Sequence, residues 1–278
     1  MLIDGKNIAL NIYDSIKAEV NILDKKPTLG AILVGKNPAS LRYIKQKQKW
    51  AEYTGIGFNL IQLDENINQN DLLNIVNKLN KDKNISGYIV QLPLPKHIDE
   101  KKVINSILPE KDIDGFHPIN QGKILIGDNS GLVPCTPAGI IEIFEAKYID
   151  LVGKIVCVIG RSNIVGKPIT ALLINTGATV ISCNSKTKDI SLFTKQADIV
   201  IIATGQPGLL KENMLKKGSI IIDVGFTVIE NKIYGDAETN KIEKAGHKIT
   251  PVPGGVGALT VALLMKNTLK AYKNNSSK

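Results

Sequence analysis

One segment near the middle of the chain restricts the possible folds more than any other. A strand is predicted at residues 154–159, Lys-Ile-Val-Cys-Val-Ile, which are apolar after the lysine, and Gly160 ends it. A helix is predicted directly afterwards, over residues 165–175, and Gly166 allows it to pack closely on the strand. A buried strand that runs through a glycine turn into a helix is typical of dinucleotide-binding folds, in which the helix N-terminus faces a phosphate. Because Ser162 replaces the middle glycine of the usual GxGxxG pattern, an ordinary strand–turn–helix without a ligand remains an alternative.

The rest of the chain repeats this alternation of strands and helices. Further short apolar strands are predicted at residues 28–34, 58–63, 87–92, 179–183, 198–203 and 219–224. The first helix carries apolar residues at every fourth position, and later helices are predicted at residues 38–53, 69–79, 99–108 and 137–147. This βαβ rhythm predicts an α/β protein with parallel sheets.

Two regions depart from the rhythm. Residues 113–136 contain several glycines and prolines and are predicted to form loops. A last helix is predicted from Gly254 to about Tyr272, and the polar residues 273–278 behind it are expected to fray.

Composition excludes several classes of protein. No apolar run approaches the roughly 18 residues of a membrane span, and the N-terminus lacks the basic start and unbroken apolar stretch of a signal peptide. We therefore expect a soluble, cytoplasmic protein with no membrane partner. The three cysteines, Cys135, Cys157 and Cys183, show no CxxC spacing and the three histidines stand apart, so neither a disulfide framework nor a metal site is predicted.

The net charge of +9 raises the question of nucleic-acid binding. All but two of the 35 basic residues are lysines, they are spread along the chain, and aromatic residues make up only 5% of it. This pattern favours solvated lysines on helix faces, and no nucleic-acid partner is predicted. A positive field would still attract an anionic substrate or cofactor.

The residues around the glycine turn favour NADP over NAD. An NAD site usually places an acid about 20 residues further on, at the end of the second strand, where it binds the ribose hydroxyls. Here the strand at residues 179–183 is followed by Asn-Ser-Lys-Thr, and the first acid is Asp189. Hydroxyls and a lysine suit a 2′-phosphate, which a carboxylate would repel. Arg161, one of only two arginines, can hold a phosphate with two parallel hydrogen bonds.

Chemistry-bearing residues occur at four other places. Tyr43 and Lys47 lie four residues apart on one helix face, where a phenol can stack on a flat ligand and an uncharged amine can accept a proton. Gln91 ends a strand, and Asp114 lies in a loop. Residues 250–257, Thr-Pro-Val-Pro-Gly-Gly-Val-Gly, allow a backbone to approach a ligand closely. Each feature also has a plainer interpretation: a solvated helix face, a rim amide, a solvated loop acid and a helix-start loop.

Together and in this order, these segments resemble one known family. Its motifs are SxxYxxxK, VQLPLP, KDIDGFHP, PCTPAG, GRSxIVGxP, ATGQP, IDVG and TPVPGGVG, spread over residues 3–271. The combination resembles the bifunctional methylenetetrahydrofolate dehydrogenase/cyclohydrolase family. The resemblance implies NADP-dependent oxidation of 5,10-methylenetetrahydrofolate to the methenyl compound, and hydrolysis of that compound to 10-formyltetrahydrofolate.

The resemblance also implies an architecture and partners. It implies two α/β domains around a cleft: a folate-binding catalytic domain at residues 1–137, and a Rossmann-type NADP-binding domain with a mainly parallel sheet at residues 138–255. Residues 256–278 would form a C-terminal helix that returns to the first domain. The partners would be a small-molecule folate substrate, NADP, and a second copy of the chain in a homodimer formed through the nucleotide domain.

Individual roles follow by matching the motifs. Tyr43 would stack on the folate, Lys47 would be the catalytic lysine, held and tuned by Gln91, and Asp114 would bind the pterin ring. The resemblance thus places four residues in a catalytic set: Tyr43, Lys47, Gln91 and Asp114. The folate would contact these four and also Leu92, Pro253, Gly254 and Gly255. NADP would contact Gly160, Arg161, Ser162, Ser185 and Phe226, and no metal is implied.

Several positions depart from the family pattern. Asn184 stands where histidine is common, Phe226 where isoleucine is usual and Ala258-Leu259 where Pro-Met is usual. The segment Asp236-Ala237-Glu238 departs from the family's GDVxF pattern. None of these changes removes a proposed catalytic group, but Asn184 leaves the strength of the NADP preference open. Three alternatives remain: a shikimate-type or amino-acid-type dehydrogenase, a monofunctional or NAD-preferring family member, and a non-catalytic nucleotide-sensing or nucleic-acid-binding protein.

Overall fold

The chain forms two compact units in a computed structural model that describes residues 1–230 and 232–276. The three-stranded unit consists of Leu10–Cys135 and the residues from Val261 onward. The five-stranded unit consists of Met1–Ala9 and Thr136–Thr260. No helix in the described part of the chain combines the length and apolarity needed to cross a membrane.

The first part of the chain alternates helices and strands as the sequence predicted. Its elements are α1 (Gly5–Asn21), β1 (Thr28–Val34), α2 (Pro38–Thr54), β2 (Gly57–Leu63), α3 (Gln69–Lys81), β3 (Gly87–Val90), α4 (Glu100–Ser106) and α5 (Pro118–Leu125). The strands form a parallel sheet in the order β2-β1-β3, in which Ala31 pairs with Leu60 and Ile89.

The strand order of this sheet reverses at its central strand, β1, which marks one edge of the sheet as a place for a ligand. The chain leaves β1 for β2 on one side and later returns to β3 on the other side, so the strand order reverses at β1. Open α/β sheets bind ligands beyond the carboxyl ends of the strands at such a reversal. In this unit that place is the edge where β1 ends at Val34 and β3 ends at Val90.

The second part of the chain builds a larger parallel sheet. Its elements are α6 (Cys135–Ala146), β4 (Ile155–Ile159), α7 (Gly166–Asn175), β5 (Thr179–Cys183), α8 (Ser191–Thr194), β6 (Ile199–Ile202), a 3₁₀ turn (Glu212–Met214), β7 (Ile220–Asp223), β8 (Thr227–Ile229), β9 (Lys232–Tyr234), α9 (Thr239–Lys244), β10 (Lys248–Ile249) and α10 (Val256–Ser276). Five strands are parallel in the order β10-β7-β6-β4-β5, while β8 and β9 form a separate antiparallel ribbon. The strand order reverses at β4. The predicted α/β class with parallel sheets is therefore confirmed, and the second sheet is of the Rossmann type.

The N-terminus extends the five-stranded sheet beyond β10. The Ile3 N–H donates to the Ile249 carbonyl at 2.8 Å, and the Ile249 N–H donates to the Met1 carbonyl at 3.1 Å. Two residues later the Gly5 N–H donates to the Gly254 carbonyl at 3.0 Å. The first residues of the chain thus hold the loop that precedes α10, a pairing that no sequence pattern indicated.

The predicted loop at residues 113–136 is wrong in part, because it contains α5. Pro118 occupies the first helical position, where its missing N–H costs nothing, and the His117 ring accepts a hydrogen bond from the Ile119 N–H at 3.1 Å. The tail prediction also needs correction, since α10 continues through Ser276 and does not fray after Tyr272. Residues 277–278 lie outside the described residues.

Candidate active site

Lys47 lies on the buried face of α2. The helix starts at Pro38 because the Asn37 side chain accepts hydrogen bonds from the next two backbone N–H groups of the first turn. Lys47 follows the buried Ile44 by three residues and precedes the buried Ala51 by four, so it shares their face of the helix. Its side chain is consequently half-buried, and the solvated-face interpretation of the Tyr43–Lys47 spacing does not hold for the lysine.

The Lys47 ammonium position is fixed by a side chain from the neighbouring sheet. The Lys47 Nζ donates to the Gln91 Oε1 over 2.9 Å. Gln91 directly follows β3, and its backbone N–H still pairs with the Ile32 carbonyl at 2.9 Å. The Gln91 Nε2 donates to the Leu92 carbonyl at 2.8 Å, so the amide presents its oxygen to the lysine. Gln91 therefore accepts from Lys47 whether the amine is charged or neutral.

Asp114 is held in a rigid loop after the same sheet. The Tyr88 N–H donates to the Lys111 carbonyl at 2.9 Å, which joins the loop to β3. The buried Asp112 carboxylate accepts from the His117 N–H at 2.7 Å. Gly115 has a φ of +75° and a Cβ there would lie 2.5 Å from a backbone nitrogen, so only glycine fits beside Asp114.

Burial shifts the ionisation of both charged groups. Burial lowers the pKa of Lys47, although the nearby Asp114 carboxylate and Cys135 thiol oppose that change. Burial likewise raises the pKa of Asp114 to about 6, against the opposing influence of Lys47. Desolvation thus dominates for both groups. The site makes an uncharged Lys47 amine more accessible near neutral pH than an exposed lysine would be.

Cys135 belongs to this cluster although sequence reasoning gave it no role. It is the first residue of α6 and is buried. Burial raises the pKa of its thiol well above the ordinary value, Asp114 raises it further, and Lys47 lowers it. The thiol therefore stays neutral at physiological pH and acts as a small apolar neighbour of the lysine. Its place in the PCTPAG motif was the one sequence signal available.

Tyr43 lies one helical turn before Lys47 and keeps 40% of its surface exposed. Leu92 is half-buried, and its carbonyl accepts the Gln91 amide. The three-stranded unit therefore contains five of the predicted site residues. Lys47, Gln91 and Asp114 interact, while Tyr43 and Leu92 adjoin them along the chain.

The glycine turn lies at the reversal point of the five-stranded sheet. Gly160 ends β4 with a φ of +129°, and a Cβ there would lie 2.4 Å from the Ala203 carbonyl oxygen at the end of β6. A Cβ on Gly166 would lie 2.1 Å from the Gly160 carbonyl oxygen. Gly166 is thus required for contact between the helix start and the turn itself. Two glycines without room for a side chain leave a tight backbone cradle between β4 and β6.

Polar side chains surround this cradle. Arg161 and Ser162 are exposed. The Ser162 Oγ accepts from the Val165 N–H at 3.1 Å in the turn that leads into α7. Asn184 is folded back on its own turn, where its Oδ1 accepts from the Lys186 N–H at 3.0 Å. Ser185, between them, is exposed.

The remaining predicted residues lie in the same unit as the cradle. Phe226 follows β7 and is 53% exposed. Pro253, Gly254 and Gly255 precede α10, and Gly254 has a φ of +109°, which favours glycine. Within residues 1–230 and 232–276, no three histidine, cysteine, aspartate or glutamate side chains are grouped so that they could hold a metal ion.

Comparison with known proteins agrees with both halves of this description. Residues 3–114 match the family model of the tetrahydrofolate dehydrogenase/cyclohydrolase catalytic domain, and residues 134–276 match that of the NAD(P)-binding domain. The bifunctional protein FolD of Listeria innocua is 48% identical over 276 residues, which cover 98% of this chain and 97% of that protein.

Two solved structures show the same likeness. The crystal structure of the bifunctional enzyme FolD from Campylobacter jejuni superimposes with a TM-score of 0.97 at 47% identity and covers 99% of both chains. The FolD structure from Trypanosoma brucei, complexed with NADP cofactor and inhibitor, gives a TM-score of 0.94 at 36% identity over 100% of this chain and 99% of that one. The chain belongs to the tetrahydrofolate dehydrogenase/cyclohydrolase family.

Proposed function

We propose that the protein oxidises 5,10-methylenetetrahydrofolate with NADP and hydrolyses the methenyl product to 10-formyltetrahydrofolate. The observation that carries this proposal is the half-buried Lys47 amine, which is bonded to Gln91 and influenced by Asp114. An amine with a lowered pKa is a suitable proton acceptor for hydrolysis. The oxidation requires a bound dinucleotide, and the glycine cradle between β4 and β6 is the place where it would bind.

The oxidation needs orientation more than it needs a base. NADP would be held at the glycine cradle and by Arg161 and Ser185, and it would supply the acceptor for the hydride of the methylene carbon between N5 and N10 of the folate. The product cation is a delocalised amidinium, so no proton has to be removed in this step. The chain's part is to hold the folate: Tyr43 stacks on its flat ring system and Asp114 accepts hydrogen bonds from the pterin N–H groups.

The hydrolysis requires a proton acceptor, and Lys47 takes this role. Water attacks the methenyl carbon, and a neutral Lys47 amine takes the proton that this water loses. The carbon now carries a hydroxyl group, and its bond to N5 breaks as N5 takes the proton back from the Lys47 ammonium. The hydroxyl group loses its own proton to solvent, which forms the C=O of the formyl group on N10. A cationic substrate next to Lys47 favours the uncharged amine, in the same direction as burial. Gln91 keeps the amine in place through both protonation states.

NADP fits the residues at the cradle. Gly160 and Gly166 let the end of β4, the turn after β6 and the start of α7 pack in direct backbone contact, which is the strand–turn–helix arrangement that binds dinucleotide phosphates. Arg161 and Ser185 are exposed and suited to the 2′-phosphate. Ser162 and Phe226 complete the proposed cofactor contacts. Because the Asn184 side chain is engaged in its own turn, it does not replace the missing histidine, and the preference for NADP rests on Arg161 and Ser185.

The predicted domain roles and partners remain part of the proposal. Folate binding is assigned to residues 1–137, dinucleotide binding to 138–255 and the last helix to 256–278, with Pro253, Gly254 and Gly255 contacting substrate. The two family-model matches support the division between the first two segments, and the place of the residues from Val261 onward in the three-stranded unit supports the return of the last helix. Exposed apolar side chains of the five-stranded unit support a homodimer through that unit, among them Tyr148, Val152 and Ile174. Three buried cysteines without disulfides suit the reducing cytoplasm.

The first prediction concerns Lys47. The purified protein should reduce NADP with methylenetetrahydrofolate and should hydrolyse methenyltetrahydrofolate without added nucleotide. Lys47→Met should lower the hydrolytic rate by about 10²–10⁴-fold, the range expected for loss of a general base. Lys45→Met, which removes an exposed lysine from the same helix, should leave both rates unchanged. Hydrolysis that survives Lys47→Met would show that another group accepts the proton.

The second prediction concerns cofactor choice. Arg161→Ala should raise the KM for NADP by about tenfold or more, since a charge-assisted contact to a phosphate contributes about 1.5–3 kcal/mol. The KM for NAD, which has no 2′-phosphate, should change little. Arg42→Ala removes the only other arginine and serves as the control. Equal losses with NADP and NAD would contradict the assignment of Arg161 to the 2′-phosphate.

The third prediction concerns the pH dependence of stability. Because the folded pKa of Asp114 is raised to about 6, ionisation of Asp114 destabilises the fold as the pH rises from about 4 through 6. Asp114→Asn should therefore be more stable than the wild type at pH 8, by about 1–3 kcal/mol. The difference should shrink towards pH 4, as measured by calorimetric melting across the pH range.

The matched control for this experiment is Asp128→Asn. Hydrogen bonds from Ser130 lower the pKa of Asp128, so its carboxylate stabilises the fold above the unfolded pKa. Asp128→Asn should accordingly reduce stability at pH 8, the opposite sign. An Asp114→Asn protein that melts below the wild type at pH 8 would mean that the carboxylate is not destabilised by burial.

A further inference from the structure

Asp236 is a fully buried carboxylate that the proposed mechanism does not use. It lies two residues beyond β9 and has no exposed surface, at 0%. One oxygen, Oδ2, accepts three hydrogen bonds: from the Thr204 N–H at 2.6 Å, the Thr204 hydroxyl at 2.9 Å and the Gly205 N–H at 3.0 Å. These donors form the turn that follows β6. A carboxylate loses its hydration when it is buried, and hydrogen bonds from the protein must compensate for that loss. The three bonds from Thr204 and Gly205 provide this compensation to Asp236.

The other side of Asp236 faces the turn that follows β7. A Cβ on Gly225 would lie 2.3 Å from the Asp236 Oδ1, so the two residues pack in direct contact. The Asp223 Oδ1 accepts from both the Gly225 N–H at 2.9 Å and the Asp236 N–H at 3.0 Å. Asp236 is therefore fixed between the turns that end two adjacent strands of the five-stranded sheet.

The turn that Asp236 holds is connected to the glycine cradle. The Ala203 N–H donates to the Ile159 carbonyl at 2.8 Å, which joins the end of β6 to the end of β4. The Ala203 carbonyl oxygen in turn limits the space at Gly160, where a Cβ would lie 2.4 Å away. A shift of the Thr204–Gly205 turn would thus be transmitted to the backbone of Gly160.

We propose that Asp236 is a positioning residue for NADP binding, which acts by fixing the turn at Thr204 and Gly205 beside the glycine cradle. The proposal rests on the proposed function for its cofactor. Asp236 touches neither cofactor nor substrate in this account. Its carboxylate accepts the hydrogen bonds of three donors in the turn. Without Asp236 these donors would have to bind water molecules instead.

The test compares Asp236→Ala and Asp236→Asn with the wild-type protein. Asp236→Ala is expected to raise both the KM and the Kd for NADP by at least tenfold, with Kd measured by calorimetric titration of NADP alone. Asp236→Asn, which keeps a weaker acceptor at the same place, should raise them by about threefold. The hydrolysis of methenyltetrahydrofolate, which needs no nucleotide and uses Lys47 in the other unit, should stay within twofold of wild type.

Asp198→Ala separates positioning from general destabilisation. Asp198 directly precedes β6 at the opposite edge of the same sheet, where it accepts from the Ile155 N–H at 3.0 Å and the Lys216 Nζ at 2.6 Å. Its loss should lower the melting temperature without changing the Kd for NADP. The proposal is overturned if Asp236→Ala binds NADP within twofold of wild type, or if Asp198→Ala weakens binding equally.

Two further outcomes are distinguishable. If Asp236→Ala does not fold, an unchanged Kd in Asp236→Asn overturns the proposal and a raised Kd supports it. If wild-type protein binds NADP but does not oxidise methylenetetrahydrofolate, the proposed function fails, while the Kd series still tests the role of Asp236.

Discussion

The hydrogen bond between the Lys47 Nζ and the Gln91 Oε1 is the interaction on which the proposed chemistry depends. It joins a helix to the end of a buried strand across 2.9 Å, in a place where burial disfavours the charged amine. A carboxylate in the position of Gln91 would stabilise the ammonium and hold the proton on it. A neutral amide fixes the nitrogen without that penalty, so the amine can be held in one place and still lose its proton.

Both units place their reactive residues by the same constraint. Parallel strands end together at one edge of a sheet, and the edge opens where the strand order reverses. In the three-stranded unit this edge carries Gln91 and, through the loop joined to β3, Asp114. In the five-stranded unit it carries Gly160, beside the turn that Asp236 fixes. The carboxyl edge of the three-stranded sheet is thus suited to proton transfer, and that of the five-stranded sheet is suited to binding a phosphate.

The sequence predicted the parts of the fold that depend on local pattern. The strand at residues 28–34 was predicted to the residue because it is one unbroken apolar run between a proline and a glycine. By contrast, β10 has only two residues and forms by pairing with β7 and with the N-terminus. These partners are distant in sequence, so no local sequence pattern predicts the strand. The burial of Lys47 was missed from spacing because α2 is mostly polar and its buried face is narrow. The roles of Cys135 and Asp236 depend on tertiary contacts, and neither could be derived from local pattern.

The central claim is that Lys47 loses its proton more readily than an exposed lysine. Nuclear magnetic resonance of protein labelled with ¹⁵N-lysine, titrated with pH, measures this directly, and the Lys47→Met spectrum identifies the resonance by its absence. If burial lowers the pKa of Lys47, this resonance titrates clearly below those of the exposed lysines, whose ordinary pKa is about 10.4. A Lys47 signal that titrates together with the exposed lysines would contradict it.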